Sequence, residues 1–360
     1  MESIARANLW MRTASRVIVR IAEFRARTFF ELERHARKIA WERVLQPGQP
    51  VAMRVTCKKS KLYHTDAVAE RLAASIERRL GAESRLQASE GSVDDEPERD
   101  TPAEQLFVVR MFKDECTVSA DTSGALLHLR GYRQALAKAP LRETLAAGLL
   151  MGSGWTGQTH LTDPMCGSGT IPIEGALMAR RMAPGIKRRF SFLEWPGVSP
   201  WMWPRLVAEA EAFQLARCPV RISASDRDQG AIAAARANAE RAGVLEDIEF
   251  AAKPVSALSQ SGGVHGDVAR GFIVTNPPYG VRIGDVGKLR NLYADLGHSV
   301  RRARPGWTLA LLSAEPKLDA QIDIRLEERL RTRNGGIPVR LLVGTVPSGP
   351  QTDKSRSRNT

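Results

Sequence analysis

The chain has 360 residues, a formal net charge of +13 and a sequence pI near 10.0. This length gives room for two ordinary domains or one large domain. The basic charge favours a polyanionic partner, although charge alone leaves open a basic protein that has no such partner. The four cysteines form no CxxC pair and no apolar run approaches the ~20 residues of a membrane span, so we expect a soluble, cytoplasmic protein that binds no metal and no membrane.

The first part of the chain predicts a small α+β domain that ends near residue 134. Apolar residues at helical spacing indicate two helices, and alternating residues indicate five strands. Residues 81–104 are polar and nearly free of large apolar side chains, so we expect a mobile insertion there. The predicted helices lie at 29–41 and 65–80, and the predicted strands lie at 16–21 and 51–59 and begin at Leu106, Cys116 and Ala125.

The second part, residues 135–347, alternates strand and helix patterns. This order predicts an α/β fold with a mainly parallel, doubly wound sheet of Rossmann-like type. Near its end, Asn334-Gly335-Gly336 separates two strand-like runs and predicts a hairpin at the sheet edge. We expect a disordered tail at 348–360. The other predicted elements are a helix from about Pro140, strands that end at Asp163 and near Asp226, helices from Thr170 and Gln229, and a strand at 272–275.

A glycine-rich turn follows the strand that ends at Asp163. Glycines allow backbone to approach a ligand, and the amides of the following helix N-terminus favour an anionic group, either a pyrophosphate or the carboxylate of an amino-acid moiety. The turn lacks the lysine of a P-loop and the third glycine of a dinucleotide-binding fingerprint. The candidate cofactor-binding residues are Asp163, Pro164, Met165, Cys166, Gly167, Gly169 and Thr170.

Two acidic residues follow the next predicted strand. A carboxylate at this point commonly grips the hydroxyls of a ribose, which makes Asp226 a candidate ribose ligand. The alternative role, capping the N-terminus of the next helix, is favoured for Asp228. Cys166 lies inside the glycine-rich turn, so we expect a structural role for it rather than that of a nucleophile.

The segment Asn276-Pro277-Pro278-Tyr279 comes directly after an apolar strand. Two successive prolines fix a turn that lacks N–H donors and leaves carbonyl oxygens free to accept. The side-chain oxygen of Asn276 and the carbonyl of Pro277 can hold both hydrogens of a base's NH2 group, and Tyr279 offers a ring for stacking. We therefore expect these four residues to be catalytic, with Asn276 also close to the cofactor.

A basic run lies where a strand meets a helix in the first domain. Lys58, Lys59 and Lys61 are candidate phosphate contacts, and a solvated surface without a ligand is an equally good interpretation.

Taken together, several motifs resemble the bacterial THUMP-domain methyltransferases, and most closely those that form N2-methylguanosine in 23S rRNA. They are LHLRGYR at 127–133, APLRETLAA at 139–147, DPMCGSGT from Asp163, SDRD at 225–228 and NPPYG at 276–280. The resemblance implies a shortened ferredoxin-like part with a THUMP region that binds RNA, then a methyltransferase domain that uses S-adenosylmethionine. It also implies that 141–144 covers the cofactor, with Thr144 in contact, and we expect Arg130 and Arg133 to bind RNA.

Several alternatives stay open. Relatives often carry an acidic residue near the adenine, where this chain has Lys253-Pro254. The second methyltransferase domain of the fused form is absent, so we expect one reaction rather than two. The favoured substrate is 23S rRNA or a ribosomal assembly intermediate. A tRNA guanine-N2-methyltransferase and an adenine-N6-methyltransferase use the same amine-binding turn. A non-catalytic RNA-binding or ribosome-assembly factor is the alternative of another class.

Overall fold

The computed structural model describes residues 1–81, 84–85, 104–134, 141–259, 270–279 and 286–348. The helices, in chain order, are α1 (Glu2–Trp10), α2 (Phe29–Ala36), α3 (Thr65–Leu80), α4 (Glu143–Gly152), α5 (Thr170–Ala179), α6 (Met202–Ala212), α7 (Gln229–Ala242), α8 (Val286–Ala303) and α9 (Pro316–Asp319). The strands are β1 (Ile18–Arg25), β2 (Val51–Lys58), β3 (Ser84–Arg85), β4 (Gln105–Phe112), β5 (Glu115–Asp121), β6 (His160–Asp163), β7 (Ile222–Asp226), β8 (Ile248–Ala252), β9 (Gly271–Thr275), β10 (Thr308–Ser313), β11 (Glu327–Asn334) and β12 (Ile337–Thr345).

The chain forms two compact units. The first contains Met1–Arg130 and Ala183–Ala212, and the second contains Gly131–Met182 and Phe213–Thr360. The sequence boundary at residue 134 lies near this division. However, the sequence prediction placed residues 183–212 in the second domain, because it assumed that each domain is one continuous stretch of chain.

The first unit contains a five-stranded sheet in the order β1-β5-β4-β2-β3, in which β2 is parallel to β3 and β4 and the other pairs are antiparallel. Helix α3 buries the stripe Val68, Leu72 and Ile76, as its spacing predicts. Thr28 and Glu31 form a capping box that fixes the start of α2.

Two expectations for the first unit need correction or lie partly outside the described residues. Residues 125–130 form turns rather than a strand, because Leu127 is anchored by its N–H to the carbonyl of Ser15 instead of to a neighbouring strand. Helix α1 was not predicted. Of the expected mobile insertion, Ser84 and Arg85 form the short strand β3 beside β2, and most of the rest is outside the described residues.

The second unit contains a seven-stranded sheet in the order β11-β12-β10-β9-β6-β7-β8. The five strands from β10 to β8 are parallel, while β11 and β12 form an antiparallel hairpin at the edge, so the predicted doubly wound sheet and hairpin are confirmed. Gly335 and Gly336, both at positive φ, make the hairpin turn. None of the described helices is long and apolar enough to cross a bilayer.

Helices cover both faces of this second sheet. Val274 packs into an apolar cluster with residues of α4, α5 and α7, whereas its neighbour Ile273 packs into a cluster with residues of α8. Burial on both faces accounts for the apolar runs of β9 and β10. Residues 349–360, most of the expected tail, lie outside the described residues.

Candidate active site

The three candidate motifs of the second unit follow neighbouring parallel strands. The glycine-rich turn follows β6, the acidic pair follows β7, and the proline turn follows β9, and β6 lies between the other two. Because the carboxyl ends of parallel strands meet at one edge of a sheet, the fold brings the three motifs together. The change of direction in strand order at β6 also makes this edge the expected ligand crevice.

The glycine-rich turn requires glycine at two positions for different reasons. Gly167 has φ +51, and a Cβ added there would meet no atom within 4 Å, so only its backbone conformation demands glycine. Gly169 has φ +86, and a Cβ there would lie 3.0 Å from the Cβ of Ala235. The turn is closed by a hydrogen bond of 2.8 Å from the Gly169 N–H to the Cys166 carbonyl. The turn and helix α7 are therefore in close contact.

Asp163 is fully buried at the end of β6. Its Oδ1 accepts hydrogen bonds from the Thr275 hydroxyl at 2.7 Å and from the Met165 N–H at 3.2 Å. Its Oδ2 is buried and has no partner among the described residues. Burial raises the pKa of this carboxyl from 3.8 to about 7, and the negative charge of Asp226 acts in the same direction. An unpartnered carboxylate oxygen in such a place is suited to a cationic or N–H-bearing ligand.

Asp226 connects β7 to the glycine-rich turn. Its Oδ2 accepts the Gly167 N–H at 3.0 Å, and its Oδ1 accepts the Asp228 N–H at 3.0 Å. Asp228 caps α7 by accepting from the N–H groups of Gly230 and Ala231, which is the structural role favoured for it. The Lys253 N–H donates to the Asp226 carbonyl at 2.8 Å. Lys253 lies where relatives often carry an acidic residue, so this position is next to the expected ribose ligand.

The proline turn holds a second unpartnered acceptor. The Oδ1 atom of Asn276 is buried and has no hydrogen-bond partner in the part of the chain that the structure describes. Pro277 is buried, Pro278 is exposed, and the Pro278 carbonyl accepts a long hydrogen bond of 3.5 Å from the Tyr293 hydroxyl. A buried amide oxygen without a partner fits an amino group as its ligand.

The Tyr279 side chain is buried and is held at its hydroxyl. Its side chain is 9% exposed, and its hydroxyl accepts a hydrogen bond of 2.7 Å from Nδ2 of Asn334 in the hairpin turn. Burial raises the pKa of this hydroxyl, so the group is a neutral phenol at physiological pH. Stacking of this ring on a base stays a prediction, and Gly280 lies outside the described residues.

Thr144 is buried in the first turn of α4, next to a buried ion pair. Glu143 lies 3.3 Å from the Arg133 guanidinium, which also donates to the Leu141 carbonyl at 2.9 Å. Arg133 thereby fixes the start of α4 and with it the position of Thr144.

The expected RNA contacts at Arg130 and Arg133 are therefore corrected. The guanidinium of Arg133 is buried against Glu143, and that of Arg130, which is 5% exposed, donates to the carbonyls of Leu127 and Arg12. Neither group presents its charge on the surface, where a phosphate could reach it. In contrast, Lys58, Lys59 and Lys61 of the first unit are all exposed.

Cys166 is unsuited to nucleophilic attack because burial strongly raises the pKa of its thiol, and the charges of Asp163 and Asp226 act in the same direction. The described residues contain no group of three or more His, Cys, Asp and Glu side chains that could hold a metal ion.

The sequence interpretation missed two residues of the site. Thr275 orients Asp163, and Asn334 holds Tyr279. Thr275 could have been found as the polar last residue of an otherwise apolar strand. Asn334 carried only a turn signal, because its contact with Tyr279 crosses 55 residues of sequence.

Comparison with known proteins adds the family. Residues 130–342 match the UPF0020 family, described as an RMKL-like methyltransferase domain. A "Ribosomal RNA large subunit methyltransferase K/L" of Marinomonas sp. is 36% identical over 96% of this chain, and the chain spans 48% of that protein, about half its length. A possible methylase from Clostridium difficile 630 has a TM-score of 0.80 with 33% identity, covering 97% of this chain and 89% of the other. SMU.472, a putative methyltransferase complexed with SAH, has a TM-score of 0.79 with 27% identity, covering 96% and 87%.

Proposed function

The chain belongs to the UPF0020 family of RMKL-like methyltransferases, whose cofactor is S-adenosylmethionine, and on this premise we propose that it methylates the exocyclic N2 amine of a guanine in RNA. The observation that carries the proposal is the buried, unpartnered Oδ1 of Asn276, in a rigid turn one strand away from the unpartnered Oδ2 of Asp163. One oxygen suits the amine of a base and the other suits the ammonium of the cofactor's methionine moiety.

The residues present fit the cofactor. Asp163 Oδ2 would accept its ammonium group, the amides at the start of α5 would face its carboxylate, and Asp226 retains lone pairs for the ribose hydroxyls. Thr144 lies in the segment that we expect to cover it. Bound S-adenosylmethionine supplies an electrophilic methyl group on a sulfonium.

The protein's own contribution to catalysis is alignment of the amine. Asn276 Oδ1 and the Pro277 carbonyl accept the two hydrogens of the NH2 group, which directs the nitrogen lone pair away from the turn. Tyr279 and Asn334 hold that turn against the edge hairpin, so the acceptors are fixed before substrate arrives. The amine nitrogen would gain the methyl group as S-adenosylhomocysteine leaves, and it would then lose one of its two protons to water. No strongly basic side chain is required, because alignment rather than proton removal limits such a transfer.

Three observations support RNA, and specifically 23S rRNA, as the substrate. The net charge is +13, the Marinomonas relative is named as a large-subunit rRNA methyltransferase, and LHLRGYR and APLRETLAA resemble that subfamily. We further propose that the first unit contains a THUMP region that binds this RNA, or the same RNA in a ribosomal assembly intermediate.

The test is transfer of labelled methyl groups from S-adenosylmethionine to total RNA of cells that lack this gene, with RNA separated by size and digested to nucleosides. We expect label in 23S rRNA as N2-methylguanosine. Label in tRNA would assign the protein to the tRNA enzymes, and N6-methyladenosine would overturn the guanine assignment. Absence of label, together with absence of cofactor binding by calorimetry, would favour the non-catalytic factor.

A further inference from the structure

Strand β4 presents a charged face at the end of the first sheet. Phe107, Val109 and Met111 are buried on one face, while Arg110 is exposed and Phe112 is half-buried on the other. On the neighbouring strand β2, Lys58 lies directly opposite Phe112 in the register. Because side chains two residues apart share a face of a strand, these residues form one surface.

Two cationic side chains lie over the Phe112 ring. The Arg110 Cζ lies 5.3 Å from the ring centroid, and the Lys113 Nζ lies 5.4 Å from it. A cation–π contact at an exposed site is weakly attractive, and it positions the cation without neutralising it. We call Lys58, Arg110, Phe112 and Lys113 the Phe112 platform.

Several basic side chains elsewhere in this unit are paired with acids, as in the ion pairs Arg71–Glu33 at 2.6 Å and Arg79–Glu42 at 2.6 Å. Among the described residues, by contrast, no acidic group lies within ion-pair distance of the platform's three cations or of the adjacent Lys59 and Lys61. Glu115, opposite Phe112 on β5, and Asp114, whose Oδ1 accepts the Lys61 N–H, place two negative charges beside these five cations. The surface keeps a clear excess of positive charge.

Two turns that carry these lysines are fixed to each other. Lys59 and Lys113 both have positive φ, at 54° and 52°. The Asp114 N–H donates to the Ser60 hydroxyl at 3.0 Å, and the Asp114 Oδ1 accepts the Lys61 N–H at 2.8 Å. That N–H group is also the main reason why the pKa of Asp114 is lowered. The charges are thus pre-organised, which reduces the entropy that binding costs.

An exposed aromatic side chain follows the lysine turn. Tyr63, two residues after Lys61, is 66% exposed, and its ring packs against His64 at a centroid distance of 4.1 Å. Basic surfaces with exposed aromatic rings suit single strands, whose unpaired bases can stack on the rings while phosphates contact the cations.

We propose that the Phe112 platform, together with Lys59, Lys61 and Tyr63, binds a single-stranded segment of RNA through phosphate contacts and base stacking. This inference rests on the proposed function, because it supplies the RNA-docking surface for the methyl-transfer site. It adds Arg110 and Lys113 to the lysines identified from sequence.

The test is fluorescence anisotropy of a labelled single-stranded RNA of about 12 nucleotides, titrated with the full chain between about 50 and 200 mM salt. Arg110→Gln/Lys113→Gln should weaken binding at least tenfold at low salt and reduce the salt slope by about 1.4, at about 0.7 for each lost phosphate contact. The matched control is Arg34→Gln/Lys38→Gln, which removes the same charge from exposed positions near α2 and should change affinity less than twofold.

A second variant separates the ring from the charges. Phe112→Leu keeps every cation, so it should weaken binding about threefold while leaving the salt slope unchanged. Unfolding curves establish that the variants fold. An unchanged slope in Arg110→Gln/Lys113→Gln would overturn the inference, as would equal affinity for duplex RNA or for polyglutamate. If the wild-type protein binds RNA through the platform but transfers no methyl group to any RNA, the proposed function is refuted and the inference about RNA binding still holds.

Discussion

Replacing Asp163 with asparagine should stabilise the cofactor-free protein and at the same time weaken cofactor binding. The pKa of the carboxyl is 3.8 in its reference state and about 7 in the fold, where it is fully buried. At a pH between these two pKa values, the Asp163 carboxyl is protonated in the folded chain and ionised in the unfolded chain. The free energy of unfolding therefore falls as pH rises through this window. At about 1.36 kcal/mol for each pKa unit, the ionised group costs up to about 4 kcal/mol above pH 7.

Asparagine cannot ionise, and its carbonyl oxygen keeps the hydrogen bonds from Thr275 and Met165. Urea unfolding should therefore show equal stability of wild type and Asp163→Asn near pH 4, and a more stable variant at pH 8. Asp228→Asn is the control, since asparagine caps a helix about as well as aspartate and should change stability by less than about 0.5 kcal/mol at either pH.

The same variant tests the role of the carboxylate in binding. A hydrogen bond to a charged group contributes about 1.5–3 kcal/mol, so calorimetry should show affinity for S-adenosylmethionine falling by roughly 10- to 100-fold. If Asp163→Asn were no more stable than wild type at pH 8, the carboxyl would not carry a burial cost. If its cofactor affinity were unchanged, Oδ2 would not be the acceptor of the ammonium group.

Three further predictions concern the turns of the site. Asn276→Ala should lower kcat at least ~100-fold while cofactor and RNA affinities stay within twofold, because the amide oxygen aligns the amine; normal turnover would remove it from that role. Gly169→Ala should destabilise the protein by about 1–3 kcal/mol more than Gly154→Ala, as measured by urea unfolding, since both have positive φ but only Gly169 would meet Ala235; equal losses would show that crowding is unimportant. Cys166→Ser should retain methyl transfer within about tenfold, because burial keeps the thiol protonated; loss of all transfer would point to attack by sulfur.

The sequence predicted the second unit well because its signals are local. The alternation of strands and helices placed β6, β7 and β9 beside their turns, and the parallel sheet then brought Asp163, Asp226 and Asn276 to one edge. Each motif contains the residues that determine its own backbone conformation, such as the glycines at positive φ.

The parts that sequence reasoning missed depend on distant contacts. The sequence shows Arg130 and Arg133 only as basic residues in a motif. The fold shows that the Arg130 guanidinium donates to main-chain carbonyls and that the Arg133 guanidinium pairs with Glu143. Likewise, the contact of Asn334 with Tyr279 cannot be inferred from a turn signal. The run ALLHLR from Ala125 indicated a strand, although the Leu127 N–H donates to the Ser15 carbonyl and the Leu127 carbonyl accepts from the Arg130 guanidinium.

The division of each unit into two chain segments has a consequence for how the protein is made. The first unit needs Ala183–Ala212, which leaves the ribosome after roughly 80 further residues have followed Arg130, a delay of roughly 4–16 s at ordinary elongation rates. During that time the nascent first unit lacks α6, and a fragment cut at residue 134 would lack it permanently. A fragment made for separate study of the first unit should therefore include Ala183–Ala212 as well as Met1–Arg130.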